Sequence, residues 1–456
     1  MWLRGQLDKG LELSAVLSDV LQAIADRFGA PTNATNGGDI AQLLEMCDLL
    51  ISNHGEATGA ALASIVLKQI QQCDAENLDV FLNALITQFG ADVDMLDQAI
   101  AAYRDEPSAK SIGKLHRAAE SKRQELFRRL NMAPGGTQAL VKLREQVLVR
   151  LRETPELCVV NDDLIHLFSS WFNRGFLELR HIDWQTPANI LEKIIQYEAV
   201  HEITDWTELR RRIQPSDRRC FAFFHPQMPE EPVIFVEVAL TQSLTSEMTD
   251  LLDSERQPIL AEDATTAIFY SISNCQFGLK NISFGNLLIK QVVADLQQQL
   301  PNLQVFATLS PMPKFAKWLD AELSDNAATG LSNNDVEVLS QLADLQWVDD
   351  ESLAVKPALM RAAATYFFNA KRGDGRPVDP VGRFHLGNGA RLERINFLAD
   401  RSTAGLKQSY GMMVNYLYDP ASIEENHELY ADKVEIVASK QVKKPEYTQQ
   451  VEDNAA

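Results

Sequence analysis

The hydrophobic pattern changes period once, near residue 173, and that change limits the possible folds more than any single motif. Up to about residue 172, apolar side chains recur at three- and four-residue steps. In "DIAQLLEMCDLLI" they are Ile40, Leu43, Leu44, Cys47 and Leu50, and "NLDVFLNALITQFG" and "QALVKLREQVLVRL" repeat the pattern. This spacing predicts antiparallel helices broken at "GAPTNATNGGD", "EPSAKS" and "NMAPGGT", where Gly and Pro supply turn geometry. After residue 173 the runs "GFLELRHI", "RCFAFFHP", "PVIFVEVAL", "TTAIFYSIS" and "LQVFATLS" read as short strands, with helical stretches such as "PANILEKIIQYEAV" and "GNLLIKQVVADLQQQL" between them. The expectation is an all-helical bundle over 1–172 and an α+β or α/β domain over 173–456. A helical insertion occupies about 332–372, and a polar, frayed tail runs from about 439 to 456.

The net charge of −20 repels nucleic-acid backbones and argues against a nucleic-acid partner. The run Arg210, Arg211, Arg212 reads as a solvated helix face. No stretch approaches 18 uncharged apolar residues, so no membrane partner is expected and the default compartment is the cytoplasm. Five scattered cysteines without a CxxC pair fit reduced, buried thiols rather than a disulfide framework or a metal site. Apolar stripes on more than one helical face predict a homo-oligomer, a dimer or tetramer, assembled through the helical domain.

Two places can carry chemistry. "AIFYSIS" runs through "NCQFGLKNISFGN" into a helix ending before Pro301, so a strand, a glycine turn and a helix follow one another. Gly278 and Gly285 could let the backbone approach a ligand, and free N–H groups from Ile282 to Gly285 could face a phosphate; as a pattern this is weak, and plain turn glycines are the favoured reading. The next strand, "LQVFATLSP", is expected beside the one before the turn through a right-handed crossover. It delivers Ser310 to its end, where Pro311 restricts the backbone. His385 lies 75 residues further on in the Gly/Asn-rich stretch "VGRFHLGNGARL", read as a loop.

The ordered set "AIFYSIS", "QFGL", "FGNLLIKQVV", "FATLSPMPKFAKWL", "FHLGNGARLERINFLAD" and "GMMVNYLY", with "WFNRGFLELRHIDWQTPANILEKI" and "YEAVHEI" upstream, resembles the malonyl-CoA decarboxylase family, most densely over 171–420. The resemblance implies a helical oligomerisation domain followed by a GNAT-like catalytic domain, a mixed sheet flanked by helices. It implies Ser310 and His385 as catalytic serine and histidine, with Tyr418 as a tyrosine of the site. It also implies that Gly278, Leu279, Lys280, Asn281, Ile282, Ser283, Phe284, Gly285 and Asn286 form the loop that holds coenzyme A. Some relatives have a glutamate where this chain has Ser283, so any role of that carboxylate does not transfer. The implied partners are malonyl-CoA and acetyl-CoA, and the implied cofactor requirement is none: the thioester carbonyl itself is the electron sink, and His385, with an ordinary pKa near 6.5, would supply the proton. Lys290, Lys314 and Arg372 are positional candidates for the coenzyme A phosphates. The same loop would also suit an acyltransferase or a sensor of coenzyme A esters.

Overall fold

The computed structural model describes residues 40–52, 55–282, 288–324, 331–342, 345–348 and 355–443. The chain forms two compact units. The first comprises residues 1–177 with 225–231 and 276–284; the second comprises 178–224, 232–275 and 285–456.

The described part of the first unit is helical, as the three- and four-residue periodicity predicts. Its helices are α1 (Ile40–Ile51), α2 (Glu56–Gln72), α3 (Ala75–Thr87), α4 (Val93–Asp105), α5 (Ala109–Ala119), α6 (Lys122–Asn131), α7 (Gly136–Arg150) and α8 (Cys158–Trp171). Acidic or hydroxyl side chains start several of them: Asp74 and Asp92 accept from the N–H three residues on, and Ser108 forms a capping box with Ser111. Leu126, Phe127, Leu140, Val147, Leu164 and Phe168 are completely buried and form the centre of this unit.

One departure from the expected division at residue 172 has a clear cause. Residues 276–282 belong with the helices, although they follow the strand-rich sequence. A Cβ on Gly278 would lie 2.0 Å from the Val141 carbonyl oxygen, so only glycine can sit this close to α7. Arg144, fully buried on the same helix, donates to the carbonyls of Gly278 (2.6 Å) and Lys280 (3.0 Å) and to Asn161 Oδ1 (3.1 Å). Replacing Arg144 by methionine keeps the bulk and strands these acceptors, at about 1–3 kcal/mol for each buried group left unpaired. Arg144→Met is therefore expected to unfold the helical unit at clearly lower denaturant concentration; an unchanged midpoint would show that the guanidinium is not what holds the segment.

The second unit is built on one mixed sheet. Its strands are β1 (Glu178–Ile182), β2 (Arg218–His225), β3 (Met228–Thr241), β4 (Thr266–Asn274), β5 (Val305–Thr308), β6 (Ser310–Pro311), β7 (Arg391–Asn396) and β8 (Met413–Leu417). They run in the order β1-β2-β3-β4-β5-β8-β6, with β7 also on β8. The helices among them are α9 (Ala188–Tyr197), α10 (Trp206–Ile213), α11 (Thr249–Leu252), α12 (Leu288–Gln299), α13 (Phe315–Ser324), α14 (Asn333–Leu339), α15 (Val355–Phe368), α16 (Pro380–Gly387), α17 (Thr403–Ser409) and α18 (Ile423–Lys433). This is the expected mixed sheet flanked by helices.

Ile190, Leu191 and Ile194 of α9 and Leu209 and Ile213 of α10 pack with Cys220, Ala222, Phe224 and Phe235 in one core cluster. Ile268, Tyr270, Ala307, Leu309 and Met413 share a second with Met248 and Leu251. β4 and β5 pair in parallel, Thr266 opposite Val305 and Phe269 opposite Thr308, as the crossover reading requires. The insertion is helical through α14 and α15.

Three surface readings need correction. Arg210 and Arg211 are exposed, but Arg212 is buried because α10 turns it inward to Glu208 (2.6 Å) and Glu237 (3.2 Å). The first residues of the tail are not frayed: the Ser439 N–H donates to Leu392 O (2.9 Å), Ser439 Oγ donates to Glu393 O (2.6 Å), and Val442 is buried, while residues 444–456 lie outside the described residues. The thiols of Cys47, Cys220 and Cys275 are buried, but Cys158, at the first position of its helix, is exposed and Cys73 is half-buried.

Candidate active site

Ser310 sits where the chain parts from one of its two neighbours: β5 lies between β4 and β8, and only the pairing with β8 continues into β6. β5 leaves β4 at Thr308, the Leu309 N–H still reaches Phe269 O (3.0 Å), and then Ser310 pairs with Val414 on β8. Pro311 sits opposite Met413 in that short pairing and fixes the backbone after the serine. The hydroxyl of Ser310 is buried, donates to Thr308 Oγ1 at 2.9 Å, and lies 3.1 Å from His385 Nε2.

His385 is not in a loop. It lies in the last turn of α16, whose start is written in the pair Asp379-Pro380: Asp379 caps the helix by accepting from the Gly382 N–H (2.6 Å), and Pro380 needs no N–H partner at the first position. Tyr366 donates its hydroxyl to the same aspartate at 3.1 Å. Residues 416 and 418 alternate on one face of the chain through the end of β8, and both meet the imidazole. The Tyr416 ring stacks on it at 4.5 Å between centroids, and the Tyr418 hydroxyl lies 2.7 Å from Nδ1. Ser310, His385 and Tyr418, 75 and 33 residues apart in sequence, are thus in direct contact.

Burial sets the protonation states. Desolvation pushes the His385 pKa down to about 3, so the imidazole is neutral at neutral pH; the expectation of an ordinary pKa near 6.5 is corrected by the 2% exposure of the residue. Desolvation holds the Tyr418 phenol well above its usual range, and it keeps its proton. Asp379 is also buried, and its carboxyl is raised to about 6.

A recess of about 230 Å³ opens at Ser310 and His385. Its walls are largely apolar, from Val200, Ile234, Phe269, Ile272, Pro311, Pro380, Val381 and Phe384. An apolar wall with few polar groups favours a reaction in which charge becomes delocalised while water is excluded.

The described half of the proposed anion loop looks different from the expectation. The Leu279 N–H donates to Gln276 O (2.9 Å), Lys280 to Phe277 O (3.0 Å) and Ile282 to Leu279 O (3.0 Å), so the Ile282 amide is not free. Asn281 takes the left-handed conformation, φ 65°. Gly278 packs directly on the backbone of α7. Ser283, Phe284, Gly285 and Asn286 lie outside the described residues. Of the positional cations, Lys290 pairs with Glu424 (2.6 Å), Arg372 lies 3.8 Å from Asp374, and Lys314 is exposed.

Sequence reasoning missed Thr308, Tyr416 and Asp379. Only Asp379 had a signal, as a capping aspartate before a proline; Thr308 and Tyr416 read as ordinary strand residues.

Hydroxyl, imidazole and phenol in one buried hydrogen-bonded chain, at the edge of an apolar recess, make this the candidate active site of an enzyme. Comparison with known proteins gives the family. Residues 175–455 match the family model described as malonyl-CoA decarboxylase C-terminal domain, and residues 89–172 match its N-terminal domain. The mitochondrial malonyl-CoA decarboxylase of Anser anser anser is 38% identical over 345 residues, 70% of this chain and 68% of that protein. The crystal structure of malonyl-CoA decarboxylase from Rhodopseudomonas palustris is 54% identical, covers 89% of this chain and 99% of that one, and superposes with a TM-score of 0.85. That from Agrobacterium vitis is 53% identical over 88% and 98% of the two chains, with a TM-score of 0.84. The chain belongs to the malonyl-CoA decarboxylase family.

Proposed function

We propose that the protein converts malonyl-CoA to acetyl-CoA and CO₂ through a thioester enolate, using Ser310 and His385 and neither metal nor organic cofactor. The observation that supports this most is the 3.1 Å contact between Ser310 Oγ and His385 Nε2 beside an apolar recess, in a chain of this family. The bond between the α-carbon and the carboxylate breaks, and its electron pair moves onto the thioester carbonyl, giving CO₂ and an enolate. The enolate then takes one proton at the α-carbon, so each turnover consumes one proton from solvent. Fixed hydrogen-bond donors stabilise the developing oxyanion, and losing one such donor costs about 10²- to 10³-fold in rate. An apolar recess favours the forward step because a carboxylate is poorly solvated there while the delocalised enolate and neutral CO₂ are not penalised as strongly.

Loop 278–286 is our assignment for coenzyme A, resting on the family resemblance. A cytoplasmic homo-oligomer assembled through the helical unit completes the reading. Among the described residues no helix is long and apolar enough to cross a membrane.

The test is to incubate the protein with malonyl-CoA in heavy water, with a metal chelator and no ATP, biotin or pyridoxal phosphate. Acetyl-CoA carrying one deuterium, formed in step with CO₂, is the expected product. Unchanged malonyl-CoA beside measurable binding would overturn the decarboxylase reading in favour of a sensor, and acetyl-CoA loss that needs an amine acceptor would favour a transferase.

A further inference from the structure

The hydrogen bonds around Ser310 have a direction. The Ser310 hydroxyl carries one proton, and it goes to Thr308 Oγ1 at 2.9 Å. Towards His385 Nε2, 3.1 Å away, the serine oxygen is therefore left to accept, and Nε2 must carry hydrogen. A neutral imidazole has a single N–H, so Nδ1 is bare and accepts the Tyr418 hydroxyl at 2.7 Å. The chain runs one way, from Tyr418 to His385 to Ser310 to Thr308.

Thr308 is held where it accepts this proton. Its side chain is fully buried, and Oγ1 also accepts the Tyr416 N–H at 3.2 Å. Its carbonyl accepts from Asn415 Nδ2 at 2.7 Å, and its strand is locked in register opposite Phe269. The residue whose amide holds Thr308, Tyr416, is also the residue whose ring stacks on the imidazole.

We propose that Thr308 is a positioning residue that sets the tautomer of His385, by taking the Ser310 proton and so presenting an imidazole N–H, not a bare nitrogen, to the serine. Two consequences separate this arrangement from a nucleophilic serine. No base accepts the Ser310 proton, so the hydroxyl is not prepared to become an alkoxide. The imidazole instead offers a donor where a carboxylate or an enolate oxygen would need one.

The tautomer is measurable without substrate, so the test stands apart from the decarboxylase reading on which the rate effect rests. In protein labelled with ¹⁵N-histidine, the His385 resonances are identified by their loss in His385→Gln. The expected result for the wild type is a proton on Nε2 and a bare Nδ1 coupled to the ring carbons. Thr308→Val removes the acceptor while keeping the shape. It is expected to release the Ser310 proton to Nε2, move the imidazole proton to Nδ1, and lower kcat at least about 10-fold with KM changed less than about 3-fold, the pattern of an interaction that matters more in the transition state than in binding. Thr308→Ser, which keeps the hydroxyl, is expected to restore both tautomer and rate. A proton on Nδ1 in the wild type would overturn the proposal even if Thr308→Val failed to fold, and so would a Thr308→Val protein that keeps its proton on Nε2.

Discussion

Replacing His385 by glutamine is expected to lower malonyl-CoA turnover by about 10²- to 10⁴-fold, the usual value of a positioned general acid or base. CO₂ release at saturating substrate measures it, and a variant with wild-type turnover would remove His385 from the chemistry. The same substitution should change how the fold responds to acid. In the folded protein burial lowers the His385 pKa to about 3, whereas in the unfolded chain it titrates near 6.5. The contribution of the neutral imidazole is therefore complete above pH 6.5 and is lost as the pH falls from there towards 3. At pH 5 the loss is about 2 kcal/mol. Asp379 acts in the opposite sense: its carboxyl is raised to about 6 by burial, and the penalty for holding it charged is relieved as the pH falls through that value. That compensation is common to both proteins, so the difference between wild type and His385→Gln isolates the histidine. Urea unfolding at pH 7.5 and pH 5 should show a smaller loss in the variant; parallel losses would mean that His385 is not held neutral by burial.

The second large effect is expected at Gly389, two residues beyond α16. Its φ is +82°, and a Cβ there would lie 2.0 Å from the Ile423 carbonyl oxygen at the start of α18. Gly389→Ala meets both a left-handed backbone, costing about 1–2 kcal/mol, and a backbone clash that can be relieved only by moving α16 or α18. The adjacent Ala390 N–H donates to the His385 carbonyl at 3.0 Å, so any such movement pulls on the helix that carries His385. The total is expected to exceed about 3 kcal/mol, in the range that marks a backbone conflict rather than an ordinary surface change. Denaturant midpoint and kcat should fall together; an unchanged midpoint would show that α18 does not approach the glycine so closely.

Much of this architecture is legible before any coordinates. The change of hydrophobic period marks where helices give way to strands, because buried faces impose 3.6-residue and 2-residue spacing on the two kinds of element. The crossover between "AIFYSIS" and "LQVFATLS" follows from the helix between them, and it places Thr308 beside Phe269. Ser310 stands out because a hydroxyl ends an apolar run before a proline. His385 is legible as a residue but not as a helical one, since the glycines and asparagines after it suggest a loop, whereas Asp379 and Pro380 before it start a helix. What depends on distant packing was not legible. Nothing local distinguishes Arg212, turned inward to Glu237, from its exposed neighbours. The packing that requires Gly278 was not legible, because its partner, the backbone of α7, lies 137 residues earlier in a region with no reason to point to it. Thr308 is an ordinary strand residue until the hydroxyl two positions later is seen to need an acceptor.

The docking of residues 276–282 onto the helices also has a consequence for biosynthesis. A nascent chain emerges at about 5–20 residues per second, and Arg144 must wait for Lys280, 136 residues behind it, for roughly 7–27 s. The helical unit is made first but cannot be completed first. Until that stretch has left the ribosome, the Arg144 guanidinium lacks two of its carbonyl acceptors and the face of α7 that Gly278 covers stays open to water or to other nascent chains.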